Sequence, residues 1–273
     1  MHILTLNVLE RGVRVSCVDH ETHALLRALY GSLQGHPKWV DLDYTVGRSG
    51  VPATYYIERR GRDRLTAPDD GAFLALFDDD LTIELQKLRH DLYVVHAAVV
   101  QYRAGAVMLV ARSGGGKSTL CWALLHHGLE FLSDELAPVD LETLTVYPYR
   151  RALVLKRDPA PAYPLPAAVL RTTRGFCASP DDMPGAVPTK PSPLTAVFFL
   201  HHEGAASSPS VRALSPAEAA ARLYANALNP LAHPGYGLDG TIRIATTRSR
   251  FDLVTGDLPA TCELVTATLQ QQA

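Results

Sequence analysis

The sequence predicts an α/β fold, and three observations support this prediction. Several segments alternate apolar and polar residues as strands do, and longer segments repeat apolar residues every three or four positions as helices do. A buried strand, a glycine loop and a helix follow one another between residues 106 and 128. The chain has 273 residues, 47% of them hydrophobic, so it can fill one large core or two small ones.

The first 71 residues predict a small N-terminal α/β domain. The segments "GVRVSCVD", "VDLDYTV" and "ATYYIER" alternate like strands, and "HETHALLRALYGSL" has the apolar spacing of a helix. Residues 72–273 are expected to form a second, larger domain.

That second domain is predicted to open with an amphipathic helix over residues 72–92, which we expect to pack against the sheet that follows it. The aspartates at 78–80 suit the cap of a helix start. Next, "VVHAAVV" and "AVMLVA" read as buried strands on either side of a turn, and "KSTLCWALLHHG" reads as a helix after the glycine loop.

A proline-rich segment covers residues 158–193 and contains nine of the 19 prolines. Proline fixes φ and lacks an N–H, so this segment cannot be a continuous helix or a central strand. A disordered linker and a partly ordered functional loop are both open, and we favour the loop because "TAVFFLH" after it resembles a core strand. The chain closes with a proline-started helix at "SPAEAAARLYANAL", the segments "TIRIATT" and "RFDLVTG", and a helix near "CELVTATLQ".

Composition argues against several classes of function. The formal charge of −2 lacks the basic excess of a nucleic-acid-binding protein, and polar residues interrupt every apolar run before it reaches the length of a membrane span. No signal peptide is evident, so we expect a cytoplasmic protein with no nucleic-acid and no membrane partner. The cysteines are scattered without a C-x-x-C pair and are read as buried thiols: Cys17, Cys121, Cys177 and Cys262.

The segment "SGGGKST" predicts a phosphate-binding loop. Glycines let backbone N–H groups approach phosphate oxygens, and the helix that begins there contributes the positive end of its dipole. Lys117 would reach the β- and γ-phosphates, and the Ser118 hydroxyl would bind Mg²⁺. The sequence departs from the usual pattern at Ala111, where glycine is expected. The candidate nucleotide-binding residues are Ser113, Gly114, Gly115, Gly116, Lys117, Ser118 and Thr119.

Asp134 and Glu135 end the short apolar segment "LEFLSDE", 17 residues after Lys117. Carboxylates at a strand end beside such a loop can hold Mg²⁺ or accept a proton. His96 lies within an apolar strand, 21 residues before Lys117. A histidine in that setting is either a hydrogen-bonded core residue or a group near the phosphates, and both interpretations stay open.

The order of "HAAVV", "SGGGKSTL" and "GLEFLSDELAPVD" resembles the catalytic domain of HPr kinase/phosphorylase. It is more similar still to the HPr-kinase-related proteins of peptide natural-product pathways, including lasso-peptide kinases. The loop also resembles that of phosphoenolpyruvate carboxykinase. The resemblance covers residues 96–156 well and the C-terminal part more loosely, and it implies a P-loop kinase domain of the HPr-kinase/phosphoenolpyruvate-carboxykinase type.

This resemblance implies an ATP- and Mg²⁺-dependent kinase that phosphorylates a serine-type hydroxyl of a peptide or protein, such as a natural-product precursor. Asp134 would be the catalytic acid/base, with His96 and Lys117 as further catalytic residues, and Glu135 would lie near the metal together with Ser118. The family has Asp-Asp where this chain has Asp134 and Glu135. The arginine signature of the bifunctional enzymes is matched only loosely by "LRTTRGF", so a kinase without phosphorolysis is preferred.

Two alternatives stay open at this point. One is a small-molecule kinase, and the other is a regulatory or assembly subunit that binds ATP without transferring phosphate. The acid at position 134 favours an enzyme over a passive binder. A homo-oligomer is also left open.

Overall fold

The computed structural model describes residues 1–202 and 208–272 and has a mixed α/β architecture with several sheets, which confirms the α/β class that the sequence predicts. The chain divides into two compact units. Unit 1 comprises Met1–Leu88 and Arg151–Asp182, and unit 2 comprises Arg89–Arg150 and Met183–Ala273. This division differs from the predicted boundary between residues 71 and 72, because the next helix and a later segment of the chain both pack with the N-terminal strands.

The helices are α1 (His20–Tyr30), α2 (Asp70–Leu88), α3 (Lys117–His126), α4 (Pro216–Tyr224), α5 (Leu238–Thr247) and α6 (Leu258–Gln270). The strands of the first half are β1 (His2–Val8), β2 (Arg11–Cys17), β3 (Leu42–Ser49), β4 (Thr54–Arg59), β5 (Leu65–Ala67), β6 (Tyr93–Tyr102), β7 (Gly105–Val110) and β8 (Glu130–Ser133). Those of the second half are β9 (Leu136–Asp140), β10 (Thr145–Val146), β11 (Leu153–Leu155), β12 (Leu170–Thr172), β13 (Gly175–Ala178), β14 (Ser192–His202), β15 (Ser210–Ala213) and β16 (Ser249–Thr255).

Unit 1 is built on a sheet in the order β1-β2-β3-β4-β5. Its neighbours are antiparallel except β2 and β3, which are parallel because α1 connects them. Helix α1 begins after Asp19, whose carboxylate accepts the N–H of Thr22 at 2.9 Å, as the N-cap residues of helices do. The strands predicted at 12–19, 40–46 and 53–59 are confirmed, as is the helix between them.

Helix α2 packs against this sheet of unit 1, so the expectation that it covers the following strands was wrong. The Phe73 ring stacks on Tyr55 with centroids 5.0 Å apart, and the Phe77 ring lies 5.0 Å from Tyr44 and 5.6 Å from Tyr30. All five rings are buried. Periodicity indicates that α2 has an apolar face but not which part of the chain that face contacts. The aromatic rings of α2 bury their apolar surface against the tyrosines of unit 1.

The aspartates at 78–80 lie in the middle of α2, so their predicted capping role was also wrong. Asp78 accepts the Tyr30 hydroxyl at 2.6 Å, and Asp80 accepts the Tyr44 hydroxyl at 2.7 Å. The N-terminal end of the helix is instead capped by Asp69, which accepts the N–H of Ala72 at 2.8 Å. The acids on the body of the helix therefore hold it to α1 through Tyr30 and to the sheet through Tyr44.

Part of the proline-rich segment belongs to unit 1. Strands β11, β13 and β12 form a small antiparallel sheet, and the turn at Thr173 lies against the start of α2, where its N–H donates to Asp70 at 3.0 Å. Arg171 lies over the Phe176 ring at 4.8 Å. The segment is therefore partly ordered, and a functional role for it stays a prediction.

Unit 2 has a mixed sheet in the order β10-β9-β6-β7-β14-β16-β15, with β8 also paired to β6. Strand β6 is antiparallel to β7, β8 and β9, whereas β7, β14 and β16 run parallel to one another. The predicted strands at 94–100, 106–111 and 195–201 are confirmed, and so are the helices at 117, 216 and 262. "TIRIATT" lies in α5 and "RFDLVTG" in β16.

Helix α3 anchors the C-terminal end of the glycine loop, because the body of this helix is buried in unit 2. Its residues from Leu120 to Leu125 are all buried, and it packs against β6, β7, β8 and α6. A helix that is apolar all round belongs to a core. Among the described residues, no helix is both long enough and apolar enough to cross a membrane.

Candidate functional site

The glycine loop connects the end of β7 at Val110 to the start of α3 at Lys117. Gly114 and Gly116 have φ values of 77° and 88°, a left-handed conformation that side chains disfavour. Gly115 is required for a different reason, since a Cβ there would lie 2.8 Å from the Ala111 side chain. The three glycines thus let the backbone form a tight loop at the positive end of a helix, as in anion-binding sites.

Lys117 is buried, and its ammonium group lies inside the loop. Its Nζ donates to the carbonyl oxygens of Ala111 at 2.8 Å and of Arg112 at 3.4 Å. This arrangement also accounts for the departure at position 111. Ala111 contributes its carbonyl oxygen and does not have a positive φ, so glycine is not required there.

Ser118 and Asp134 are adjacent in space. The Ser118 hydroxyl lies 3.0 Å from Oδ1 and 3.1 Å from Oδ2 of Asp134. Asp134 follows β8 and is only 1% exposed, and Ser118 is half-buried in the first turn of α3. The sequence spacing therefore does bring the loop hydroxyl and the first acid together.

His96 and Glu135 form a second pair beside the first. Nε2 of His96 and Oε2 of Glu135 are 2.7 Å apart, which is a short hydrogen bond to a carboxylate. His96 lies on β6 opposite Leu136, and its backbone N–H donates to the carbonyl of Asn226 at 2.8 Å. Glu135 has a φ of 78° at the turn between β8 and β9.

The oxygens of Ser118 and Asp134 suit Mg²⁺. Magnesium prefers oxygen ligands, and it is usually held by one or two carboxylates together with waters and phosphate oxygens. Within residues 1–202 and 208–272, no group of three or more His, Cys, Asp or Glu side chains could hold a metal alone. Waters and phosphate oxygens would supply the remaining ligands of a magnesium ion at this position.

The thiol of Cys121 is buried close to Asp134. Burial raises the pKa of Cys121 well above its usual value, and the negative charge of Asp134 adds to this effect. A thiol of such high pKa is protonated at neutral pH and is a poor nucleophile. All four cysteines are buried thiols, as the sequence predicted.

The remaining predicted residues lie along the loop. Ser113 and Thr119 are exposed at its two ends. Sequence reasoning missed three residues that contact the site through backbone carbonyls, namely Ala111 and Arg112 at Lys117 and Asn226 at His96. A carbonyl contact leaves no signal in side-chain type, so no residue pattern could have identified these contacts.

No family model matches the chain, and no curated protein is similar to it. Among solved structures, the Hpr(Ser) kinase/phosphatase from Coxiella burnetii is similar with 11% sequence identity and a TM-score of 0.33, over 66% of this chain and 99% of that one. A TM-score this low does not establish a shared fold, so the function of the site rests on its own geometry and residues.

Proposed function

We propose that the chain is an ATP-dependent kinase that transfers the γ-phosphoryl group of ATP to a serine-type hydroxyl of a peptide or protein. The main support is the contact of Ser118 with both oxygens of Asp134 at 3.0 and 3.1 Å, directly beside the glycine loop. A glycine turn without a ligand has no need for a buried carboxylate at the start of its helix. The peptide acceptor follows from the motif resemblance to HPr-kinase-related proteins.

The loop residues have roles that their positions support. In a nucleotide complex, the ammonium of Lys117 would exchange its carbonyl partners for phosphate oxygens, and the backbone of Gly114–Gly116 would line the phosphates. Phosphoryl transfer involves little covalent chemistry on the protein, so positioning and charge stabilisation supply most of the rate. A bound Mg²⁺ would be held by Ser118 and Asp134 and would neutralise charge on the phosphates.

The proposed function and its two alternatives, a small-molecule kinase and a subunit that only binds ATP, predict different results in a transfer assay. We propose to incubate the protein with Mg²⁺ and γ-³²P-ATP and two synthetic peptide libraries that differ only in serine or alanine at one fixed position. A protein or peptide kinase labels only the serine library, and the phosphoserine product survives acid. A small-molecule kinase labels neither library, and a passive binder retains ATP without any transfer.

Lys117 provides the matched test of the loop. We expect Lys117→Ala to lose transfer by on the order of 10²-fold or more, because an aligned charge on the phosphates is removed. Lys117→Met keeps the buried aliphatic chain and checks that the loss is not caused by misfolding. The control is Lys87→Ala, on the exposed surface of unit 1, which should transfer at the wild-type rate. Wild-type transfer by a folded Lys117→Met protein would refute the phosphate loop.

A further inference from the structure

The two consecutive acids after β8 occupy different environments. Asp134 is 1% exposed and lies against the Ser118 hydroxyl. The Glu135 side chain is 42% exposed and lies against His96. Two titratable groups with such different surroundings are expected to perform different tasks.

Access from solvent favours Glu135 as the residue that meets the acceptor. A hydroxyl on a peptide approaches from outside the protein, and a base must come within about 3 Å of it to take its proton. A carboxylate that is 1% exposed offers little surface for such a contact, whereas the Glu135 side chain is open over nearly half of its area. The buried position of Asp134 beside Ser118 instead suits a ligand of the cation.

The Glu135 carboxylate is also held in place. His96 bonds it at 2.7 Å, and β6 fixes His96 through its pairing with Leu136 and its backbone bond to Asn226. The positive φ of 78° at Glu135 turns the chain between β8 and β9, so that neighbouring acids contact different partners. Left-handed backbone at a residue other than glycine is costly and occurs preferentially at functional sites.

We propose that Glu135, positioned by His96, accepts the proton of the acceptor hydroxyl, while Asp134 acts on the cation side with Ser118. This inference rests on the proposed kinase function and reverses the roles that the motif resemblance implies for the two acids. In the step, the acceptor oxygen forms a bond to the γ-phosphorus, and the bond from that phosphorus to the bridging oxygen of ADP breaks. The hydroxyl proton passes to the Glu135 carboxylate, and ADP leaves with the bonding electron pair.

The test compares Glu135→Gln with Asp134→Asn by two measurements. One is transfer from ATP to the serine library, together with slow ATP hydrolysis in which water replaces the acceptor. The other is the affinity for a fluorescent N-methylanthraniloyl ATP, measured with and without Mg²⁺. We expect Glu135→Gln to lower both turnover rates roughly 10²–10⁴-fold and to keep the Mg²⁺ dependence of ATP binding.

Asp134→Asn should behave differently, because a neutral amide is a poor ligand for magnesium. We expect it to lose most of the Mg²⁺ dependence of ATP binding. If Glu135→Gln loses that dependence, or if it transfers phosphate at the wild-type rate, the assignment is overturned. If Asp134→Asn retains the full Mg²⁺ dependence, the assignment is overturned as well.

His96 is a positioning residue in this scheme, so the conservative variant should rescue it. In His96→Gln the amide nitrogen can replace Nε2 as a donor to Glu135, whereas His96→Phe keeps the ring volume without a donor. We expect kcat to fall at least 10-fold further in His96→Phe than in His96→Gln, with little change in the KM for ATP. Equal losses in the two variants would reduce His96 to a packing role and overturn that part of the proposal.

Failure of the proposed function would look different from failure of this inference. A wild-type protein that binds ATP but transfers phosphate to neither peptide nor water is not a kinase. The Mg²⁺-dependent binding of the two acid variants can still be compared in that case, and it would show whether Asp134 alone serves the cation.

Discussion

The backbone of Glu135 provides a test of the turn that is independent of catalysis. Its φ of 78° costs a residue with a Cβ about 1–2 kcal/mol, and glycine escapes this penalty. Glycine loses more conformational entropy on folding, which costs about 0.5–1 kcal/mol. We therefore expect Glu135→Gly to be more stable than Glu135→Ala by about 0.5–1 kcal/mol, although both lack the carboxylate and its bond to His96.

The measurement is urea unfolding followed by tryptophan fluorescence in a Trp39→Phe background. Trp122 then reports alone, and it is buried in α3 of unit 2 with 1% exposure, whereas Trp39 of unit 1 is 64% exposed. A local probe is needed because a chain with two units does not have to unfold in one transition. Both Glu135 variants should also lack transfer activity, which separates stability from function.

A matched control lies a few residues away at Glu130, in strand β8. There an ordinary strand backbone should make Glu130→Gly less stable than Glu130→Ala by about 0.5–1 kcal/mol. The sign of the difference should thus reverse between positions 130 and 135. If glycine is the less stable variant at both positions, the left-handed turn and the strain argument built on it are wrong.

Two further predictions concern the loop and the acid stability of unit 2. Gly115→Ala should weaken ATP binding at least 10-fold, because the new Cβ would lie 2.8 Å from the Ala111 side chain. The control is Gly31→Ala, whose Cβ would meet only ordinary contacts and which should bind ATP as wild type does. Side-chain hydrogen bonds from Arg89 hold the pKa of Asp91 below its usual range. The Asp91 carboxylate therefore stabilises the fold above its unfolded pKa of about 3.9, and this stabilisation is lost as the pH falls through the lower folded pKa. In urea unfolding, the stability of Asp91→Asn should consequently fall less than that of wild type when the pH is lowered below about 4.

The local parts of the structure could be predicted well from sequence. Strand alternation and helical spacing located most elements, because burial on one face imposes its period on the residues. The glycine loop could be identified for a different reason, because consecutive glycines before a lysine and two hydroxyl residues are typical of phosphate-binding loops. The contact of Ser118 with Asp134 agrees with the expectation that the acids after the next strand lie beside the loop.

The errors arose where the deciding contact is distant in the chain. Periodicity gives the apolar face of α2 but not its partner, which is set by the ring contacts of Phe73 and Phe77 with tyrosines far away in sequence. The aspartates at 78–80 resemble a helix cap in isolation, yet Asp78 and Asp80 bond tyrosine hydroxyls across the unit. The different environments of Asp134 and Glu135 likewise depend on a turn that no local pattern indicates.

The discontinuity of unit 1 has a consequence for synthesis of the chain on the ribosome. The N-terminal 88 residues meet their last partners only when residues 151–182 emerge, as shown by the bond from the N–H of Ala152 to the carbonyl of Leu29 at 2.7 Å. The buried guanidinium of Arg151 likewise reaches Asp78 at 3.2 Å. Until then α1 and α2 lack the strands that complete their packing, so the nascent N-terminal part should remain a substrate for chaperones while the whole phosphate loop is being translated.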